Sequence, residues 1–189
     1  MSRGAISLLG YALLGLLQQR PCSGYDLRKM FATTPLASFS DSPGAIYPAL
    51  RRLEQEGLVR SRVEASAGLR RKRTFGLTPR GVAALKDWLR RPVGHDDVVH
   101  SLDELMLRFA FMDGVMDAAA SVRFLQMFVR GLDAYIPTLH DYLNTHKAHM
   151  SLSGRLALES GIESYEVSRN WARRALATYA RHAKGAVRS

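Results

Sequence analysis

Around Gly57 the apolar spacing of this chain switches from that of a helix to that of a strand, and the switch sits between a well-capped helix and a basic loop. On the upstream side, Ser42-Pro43-Gly44-Ala45-Ile46-Tyr47-Pro48-Ala49-Leu50-Arg51-Arg52-Leu53-Glu54-Gln55-Glu56-Gly57 reads as one helix. Ser42 is a good N-cap, Pro43 suits the first helical position, and Gly57 suits the C-terminal stop. Ile46, Leu50 and Leu53 line one face, while Gly44, Tyr47, Pro48, Arg51, Arg52 and Gln55 fall on or beside the other. Pro48 is the oddity, since a proline inside a helix costs about 3 kcal/mol. One turn in, it would open the helix's first turn. Downstream, Val59, Ser61 and Val63 alternate with Leu58, Arg60 and Arg62, and Phe75 with Leu77 forms a second short run. The loop between them contains Gly68 and ends in Arg70, Arg71, Lys72 and Arg73. This pattern predicts a β-hairpin with a positive tip.

Helices are predicted on both sides. Ile6, Leu9, Leu13, Leu16 and Leu17 share helical spacing up to Pro21. Ser23 caps a short helix through Phe31, and a loop rich in Thr, Pro and Ser follows over residues 33–41. Thr78-Pro79 opens a further helix carrying Val82, Leu85, Trp88 and Leu89, which ends near Arg91-Pro92. Three helices, a two-stranded hairpin and a closing helix make a winged helix-turn-helix over residues 1–92. In that architecture the third helix enters the major groove of DNA and the hairpin tip lies along the backbone or minor groove.

Residues 93–100 read as a linker, and residues 101–189 as an all-α domain. Ser101-Leu102-Asp103-Glu104 has the form of a capping box. From Asp117 a long helix places Leu125, Phe128, Leu132, Tyr135, Leu139 and Tyr142 at alternating three and four spacing, with a kink expected at Pro137. A final helix repeats the alternation through Leu158, Ile162, Tyr165, Ala172, Leu176, Tyr179 and Ala183. Such seams suit a dimerisation domain, and equally an intramolecular bundle. The expected fold is therefore mainly α, with a small β wing.

Charge separates the two halves. Of 189 residues, 47% are apolar and 23% charged, the balance of a globular chain and not of a disordered one. Residues 1–92 hold 16 basic and 6 acidic side chains, whereas residues 93–189 hold 11 of each. The whole net charge of +10 thus lies in the first half, as expected of an anion-binding module joined to a neutral partner module. Arginine supplies 22 of the 27 basic residues, and its planar fork suits phosphates and guanine edges. With one cysteine, Cys22, and no C-x-x-C pair, neither an internal disulfide nor a zinc knot can form, which suggests a reducing, cytoplasmic setting. The apolar run Ile6–Leu17 spans twelve residues, too few to cross a bilayer. It imitates a secretory signal but closes on Gln18-Gln19-Arg20-Pro21 without a small-residue cleavage site; a buried helix is the expectation, with a lipoprotein signal as the alternative.

At this point the residues resemble a family. Ser23-Gly24-Tyr25-Asp26-Leu27, the run Gly44 to Val59, and then Arg71-Lys72-Arg73, Leu77-Thr78, Gly81 and Trp88-Leu89 are similar to the PadR-like transcriptional regulators. The resemblance covers roughly the first 90 residues, and the second half is similar in size and pattern to the long-form members. It implies a homodimer that binds a dyad-symmetric operator in double-stranded DNA and usually represses a nearby gene. By that resemblance Ser42, Gly44, Tyr47, Pro48 and Arg51 lie in or beside the groove, with Arg52 next to them. Arg70, Arg71, Lys72 and Arg73 form the wing, and Tyr25 and Arg28 contact phosphates. Gly76 departs from the family pattern, which often has an aromatic residue near there, and leaves the outer strand softer.

Other readings stay open. Phe128, Tyr135, Tyr165 and Trp171 suit core and dimer packing, and also an apolar pocket for an aromatic or apolar effector. His140, His146 and His149, or His95, Asp96, Asp97 and His100, are conceivable metal ligands, although lone histidines of this kind are usually solvated. Cys22 fits a packed thiol or a redox sensor. Phosphate-binding, nucleophile-elbow and dinucleotide motifs are missing, so neither an enzyme nor a cofactor is expected. A nonspecific architectural DNA-binding protein is one alternative; a metal-dependent helical enzyme acting on an anionic substrate is another.

Overall fold

A computed structural model of the chain describes residues 5–39, 43–64 and 72–186. It divides into two compact units, Met1–Arg90 and Arg91–Ser189.

In the first unit α1 (Leu8–Gln19) is capped by Ser7, whose Oγ accepts from Gly10 N at 3.2 Å. Its residues from Gly10 to Leu17 are all buried, so the apolar run is a core helix. Tyr11 stacks on Trp88 of α4 (Pro79–Leu89), with ring centroids 4.3 Å apart. Ser23 closes a capping box on α2 (Gly24–Thr33): Asp26 N donates to Ser23 Oγ at 3.2 Å, and Ser23 N donates to Asp26 Oδ2 at 3.3 Å. The Thr/Pro/Ser-rich segment that follows contains a 3-10 turn, Pro35–Phe39.

The helix around Pro48 begins later than its sequence suggests. Ser42, the expected cap, lies outside the described residues; Pro43–Ala45 is a 3-10 turn, and α3 proper runs Ile46–Gln55 from Ala45, with no side-chain cap. Pro48 explains the offset. It has no N–H for the carbonyl of Gly44, and its ring crowds that carbonyl, so the segment before Ile46 tightens. The missing cap costs about 1 kcal/mol. Burial of Ile46, Leu50 and Leu53, each at most 2% exposed, outweighs it at about 1.5–3 kcal/mol apiece.

Gly57, at φ +71°, ends α3 and turns the chain into β2 (Val59–Glu64). β2 pairs antiparallel with β3 (Lys72–Leu77) in the register Val59↔Leu77, Ser61↔Phe75, Val63↔Arg73. The two-stranded wing is there, and among the described residues the sheet gains a third strand. β1 (Cys22–Ser23) covers the other edge of β3, with Cys22 opposite Phe75. Two residues are too few to show any period, which is why the hairpin alone is legible in the sequence. Cys22 is buried there. The Thr78 hydroxyl caps α4 at Gly81 N (3.1 Å) and also donates to the carbonyl of Gly57 at 2.7 Å, while Thr78 N donates to that of Leu58 at 3.1 Å.

In the second unit, most of the segment 93–100 is helical. Val93 and Val98 are buried, Gly94 N donates to Asp97 Oδ2 at 2.7 Å, and His95–His100 forms α5, packed on α6 (Leu102–Ala110) and α7 (Ala118–His146). Six residues are too short for helical spacing to declare itself. Ser101 makes no capping box either. At φ −140° and ψ 36°, outside the extended region of an ordinary cap, its side chain caps no N–H of α6, and its own N–H closes α5 on the carbonyl of Asp97. α7, capped by Asp117, runs through Pro137 and pairs with α8 (Leu152–Ala186). Leu125, Phe128, Leu132 and Ile136 fill their seam with Ile162 and Ala172. Arg108 is buried as well; its guanidinium donates to the carbonyl of Arg91 and lies 5.2 Å from the Phe124 ring. Burial draws its pKa down, and the charges of Asp97 and Glu104 oppose that. No helix among the described residues is long and apolar enough to cross a membrane.

Gly81 has no room for a side chain: an added Cβ would sit 2.1 Å from the carbonyl oxygen of Leu58. Gly81→Ala is expected to lower stability by about 1–3 kcal/mol. The check is the denaturant midpoint of the helical circular-dichroism signal, and an unchanged midpoint would contradict this packing.

Candidate nucleic-acid interface

α3 has two faces with opposite character. Ile46, Ala49, Leu50 and Leu53 are buried, while Gly44, Tyr47, Pro48 and Arg51 are exposed. Tyr47 keeps 44% of its surface in water, a large amount for a ring on a packed helix. Its inner edge lies against the start of α2, where a Cβ on Gly24 would come within 2.5 Å of Tyr47 Cε1. Glycine at that point lets the backbone of one helix approach the ring of the other. On α2 itself Tyr25 is 63% exposed, and the Arg28 guanidinium lies 5.9 Å from its ring centroid. An exposed tyrosine and an exposed arginine thus stand on each of two adjoining helices.

The expected contact residues divide by what they already touch. Among the described residues, Arg51 makes no side-chain hydrogen bond or ion pair. Arg52 points differently: its Nη2 donates to Ser7 Oγ, the cap of α1, at 3.3 Å. Arg73 is held more firmly. Its Nη2 reaches Glu54 Oε2 at 2.7 Å, its Nε donates to Ser61 Oγ at 3.0 Å, and the Ser61 hydroxyl donates to Glu54 Oε1 at 2.6 Å. The Ser61 hydrogen bond does most to hold the Glu54 carboxyl below its ordinary value of 4.5; partial burial opposes the lowering, and Arg73 adds to it by hydrogen bond and charge. This stabilisation is therefore present above the ordinary carboxylate range and is lost only as pH falls through the lower folded value. Arg70 and Arg71 lie outside the described residues, as does the side chain of Lys72, whose backbone opens β3.

Two basic residues lie outside the set that the sequence pattern assigns to DNA. Arg60 and Arg62 are exposed and lie on the opposite face of the sheet from Ser61 and Arg73. The alternation of β2 carried that signal, but the run of basic residues at the loop overshadowed it.

The four aromatic residues considered for an effector fall into separate settings in the second unit. Phe128 is fully buried core. Tyr135 meets Tyr165 edge-on at 5.2 Å and His95 at 5.7 Å, and the Tyr165 hydroxyl donates to the carbonyl of Val99 at 3.0 Å. Trp171 instead packs edge-on against Phe109 at 5.3 Å, and Phe109 also meets Tyr179.

The family model described as the transcriptional regulator PadR-like family matches residues 13–87, nearly all of the first unit. Over that stretch the chain is similar to the PadR-like transcriptional regulators. The negative transcriptional regulator PadR of Bacillus subtilis (strain 168) is 33% identical over 115 residues, which span 60% of this chain and 62% of that protein. Among solved structures, Bacillus subtilis PadR in complex with operator DNA is 27% identical, over 90% of this chain and 98% of that one, with a TM-score of 0.42. A PadR-like regulator from Bacillus cereus is 25% identical over 95% and 99%, with a TM-score of 0.43. Bacillus subtilis PadR in complex with p-coumaric acid is 26% identical over 94% and 98%, with a TM-score of 0.42.

Gly24→Ala is expected to leave α2 and α3 intact while pushing the Tyr47 ring outward by about 1 Å to restore ordinary contact. Nuclear magnetic resonance reads both. The Tyr47 ring signals should move while the α2 and α3 amide signals persist, and unmoved ring signals would contradict the close approach.

Proposed function

We propose that this chain is a cytoplasmic, dimeric, sequence-specific DNA-binding repressor of the PadR-like family. The observation that carries the reading is α3, whose apolar face is buried and whose Tyr47, Pro48 and Arg51 stand exposed, with Arg51 unpaired among the described residues. A helix of that form can enter a major groove with an arginine fork available for a guanine edge. Tyr25 and Arg28 of α2 suit the adjoining phosphates, and the net charge of +10 supplies the attraction that precedes any base contact. Repression is supported by the name of the Bacillus subtilis relative, a negative transcriptional regulator.

Dimerisation is supported by the exposed apolar side chains of the α7–α8 pair. Tyr142, Leu152, Leu156 and Val167 are each more than half exposed, and a second copy of the same surface would cover them. A two-fold pair of reading helices requires an operator that is an inverted repeat, with half-sites about one DNA turn or a multiple apart. Release by an aromatic or apolar molecule is the finest part of the proposal. The half-buried rings of Tyr135, Tyr165 and Trp171 offer stacking surfaces, and such a molecule acts only if it prefers one arrangement of the dimer over another.

The test is selection of binding sites from random duplexes with the purified chain and with Arg51→Ala. The wild type should select an inverted repeat. The variant should bind more weakly by about 1–3 kcal/mol and lose preference at one position in each half-site. A flat selection would leave an architectural protein instead, a single half-site would remove the dimer, and an unchanged preference would remove Arg51 from the reading set.

A further inference from the structure

Arg73 belongs to the basic tract expected to face phosphate, yet the sheet register turns it the other way. Val59, Ser61 and Val63 share a face with Leu77, Phe75 and Arg73, their partners across the hairpin. Val59 and Phe75 are buried, at 2% and 6% exposure, so the inner end of this face looks into the core of the unit, whereas Val63 is exposed and half of the Arg73 side chain is in water. At its outer end the guanidinium of Arg73 lies 5.3 Å from the Phe75 ring centroid and closes a three-membered ring of hydrogen bonds with Ser61 and Glu54. Each member comes from a different element: Glu54 from the last turn of α3, Ser61 from β2, Arg73 from β3. Glu54 is also three residues beyond Arg51 on the same helix.

We infer that the Glu54–Ser61–Arg73 ring is a positioning device that sets the wing against the recognition helix, and that Arg73 acts through Glu54 and not on a phosphate. Both carboxylate oxygens are used, one by each strand of the hairpin. A hairpin attached only through its ladder could twist about its long axis; two bonds from one carboxylate to both strands remove that freedom. The arginine fork is needed because one side chain must reach Glu54 and Ser61 at once, which a single ammonium on a flexible stem does poorly. Among the described residues, the wing's phosphate charge then rests on the other face, where Arg60 and Arg62 are exposed.

This inference rests on the DNA-binding reading, and the experiment separates the two. The affinity of the full chain for a duplex that it selects is measured across a salt series, beside Glu54→Gln, Arg73→Gln, Arg73→Lys, the Glu54→Gln/Arg73→Gln double variant, and Arg60→Gln/Arg62→Gln. Each phosphate contact contributes about 0.9 to the slope of log affinity against log salt. Glu54→Gln, Arg73→Gln and Arg73→Lys are each expected to bind about fivefold more weakly with the slope unchanged. The double variant should bind no worse than either single Gln variant, because one unit is broken once. Arg60→Gln/Arg62→Gln should lower the slope by about 1.8. The inference is overturned if Arg73→Gln lowers the slope by about 0.9, if Arg73→Lys binds like the wild type, or if Glu54→Gln tightens binding by freeing an arginine for phosphate. Matching circular-dichroism spectra establish that the variants are folded. A wild type that binds no duplex at low salt fails the DNA reading itself, and the inference falls with it.

Discussion

The ring of Tyr47 lies against the backbone at Gly24, and the geometry of the candidate interface follows from that approach. Any side chain at residue 24 would displace the ring, because a Cβ there would stand 2.5 Å from Cε1. Glycine brings the first turn of α2 close to α3, while Ser23 and Asp26 on either side tie that turn down by their reciprocal hydrogen bonds. Tyr25 and Arg28 on α2 are thereby placed near the exposed face of α3. The same short run of sequence therefore caps a helix, makes room for its neighbour and supplies surface side chains.

A second close approach works at the other end of α3. Gly57 takes the left-handed conformation that ends the helix, the Thr78 hydroxyl donates to its carbonyl, and Gly81 allows α4 to rest on the carbonyl of Leu58. α4 carries Trp88 to its stack with Tyr11, which closes the core under α1. α3 is thus fixed at its start by α2 and at its end by α4. Its apolar face does the binding to the core, and its polar face is left for other work. Pro48 can stand inside such a helix because it falls in the first turn, where the backbone N–H groups lack helical partners in any case.

Much of this is legible from residues alone, because caps, stops and period changes are local. Ser23, Thr78, Asp117 and Gly57 each declare an element boundary through chemistry that acts within three or four residues. What escapes is set by pairing at a distance. The direction of Arg73 depends on the hairpin register, and a slip of one residue would turn every side chain to the other face. β1 exists because β3 has an open edge, not because Cys22-Ser23 has a strand pattern. The short α5 is held by buried Val98 and the Gly94–Asp97 bond, neither of which an eight-residue segment announces. Arg52 and Arg73 looked alike as basic surface, and only the structure shows that each already has a partner.

The central claim is that exposed residues of α3 read DNA sequence. The most direct measurement is the affinity of the purified chain for duplex DNA from upstream of its own gene, against a scrambled duplex of equal length, over a range of salt concentration. Specific reading predicts that binding to the native duplex survives an excess of the scrambled one, and that the preference persists as salt weakens both through the loss of phosphate attraction. Equal affinity for the two duplexes at every salt concentration would contradict it.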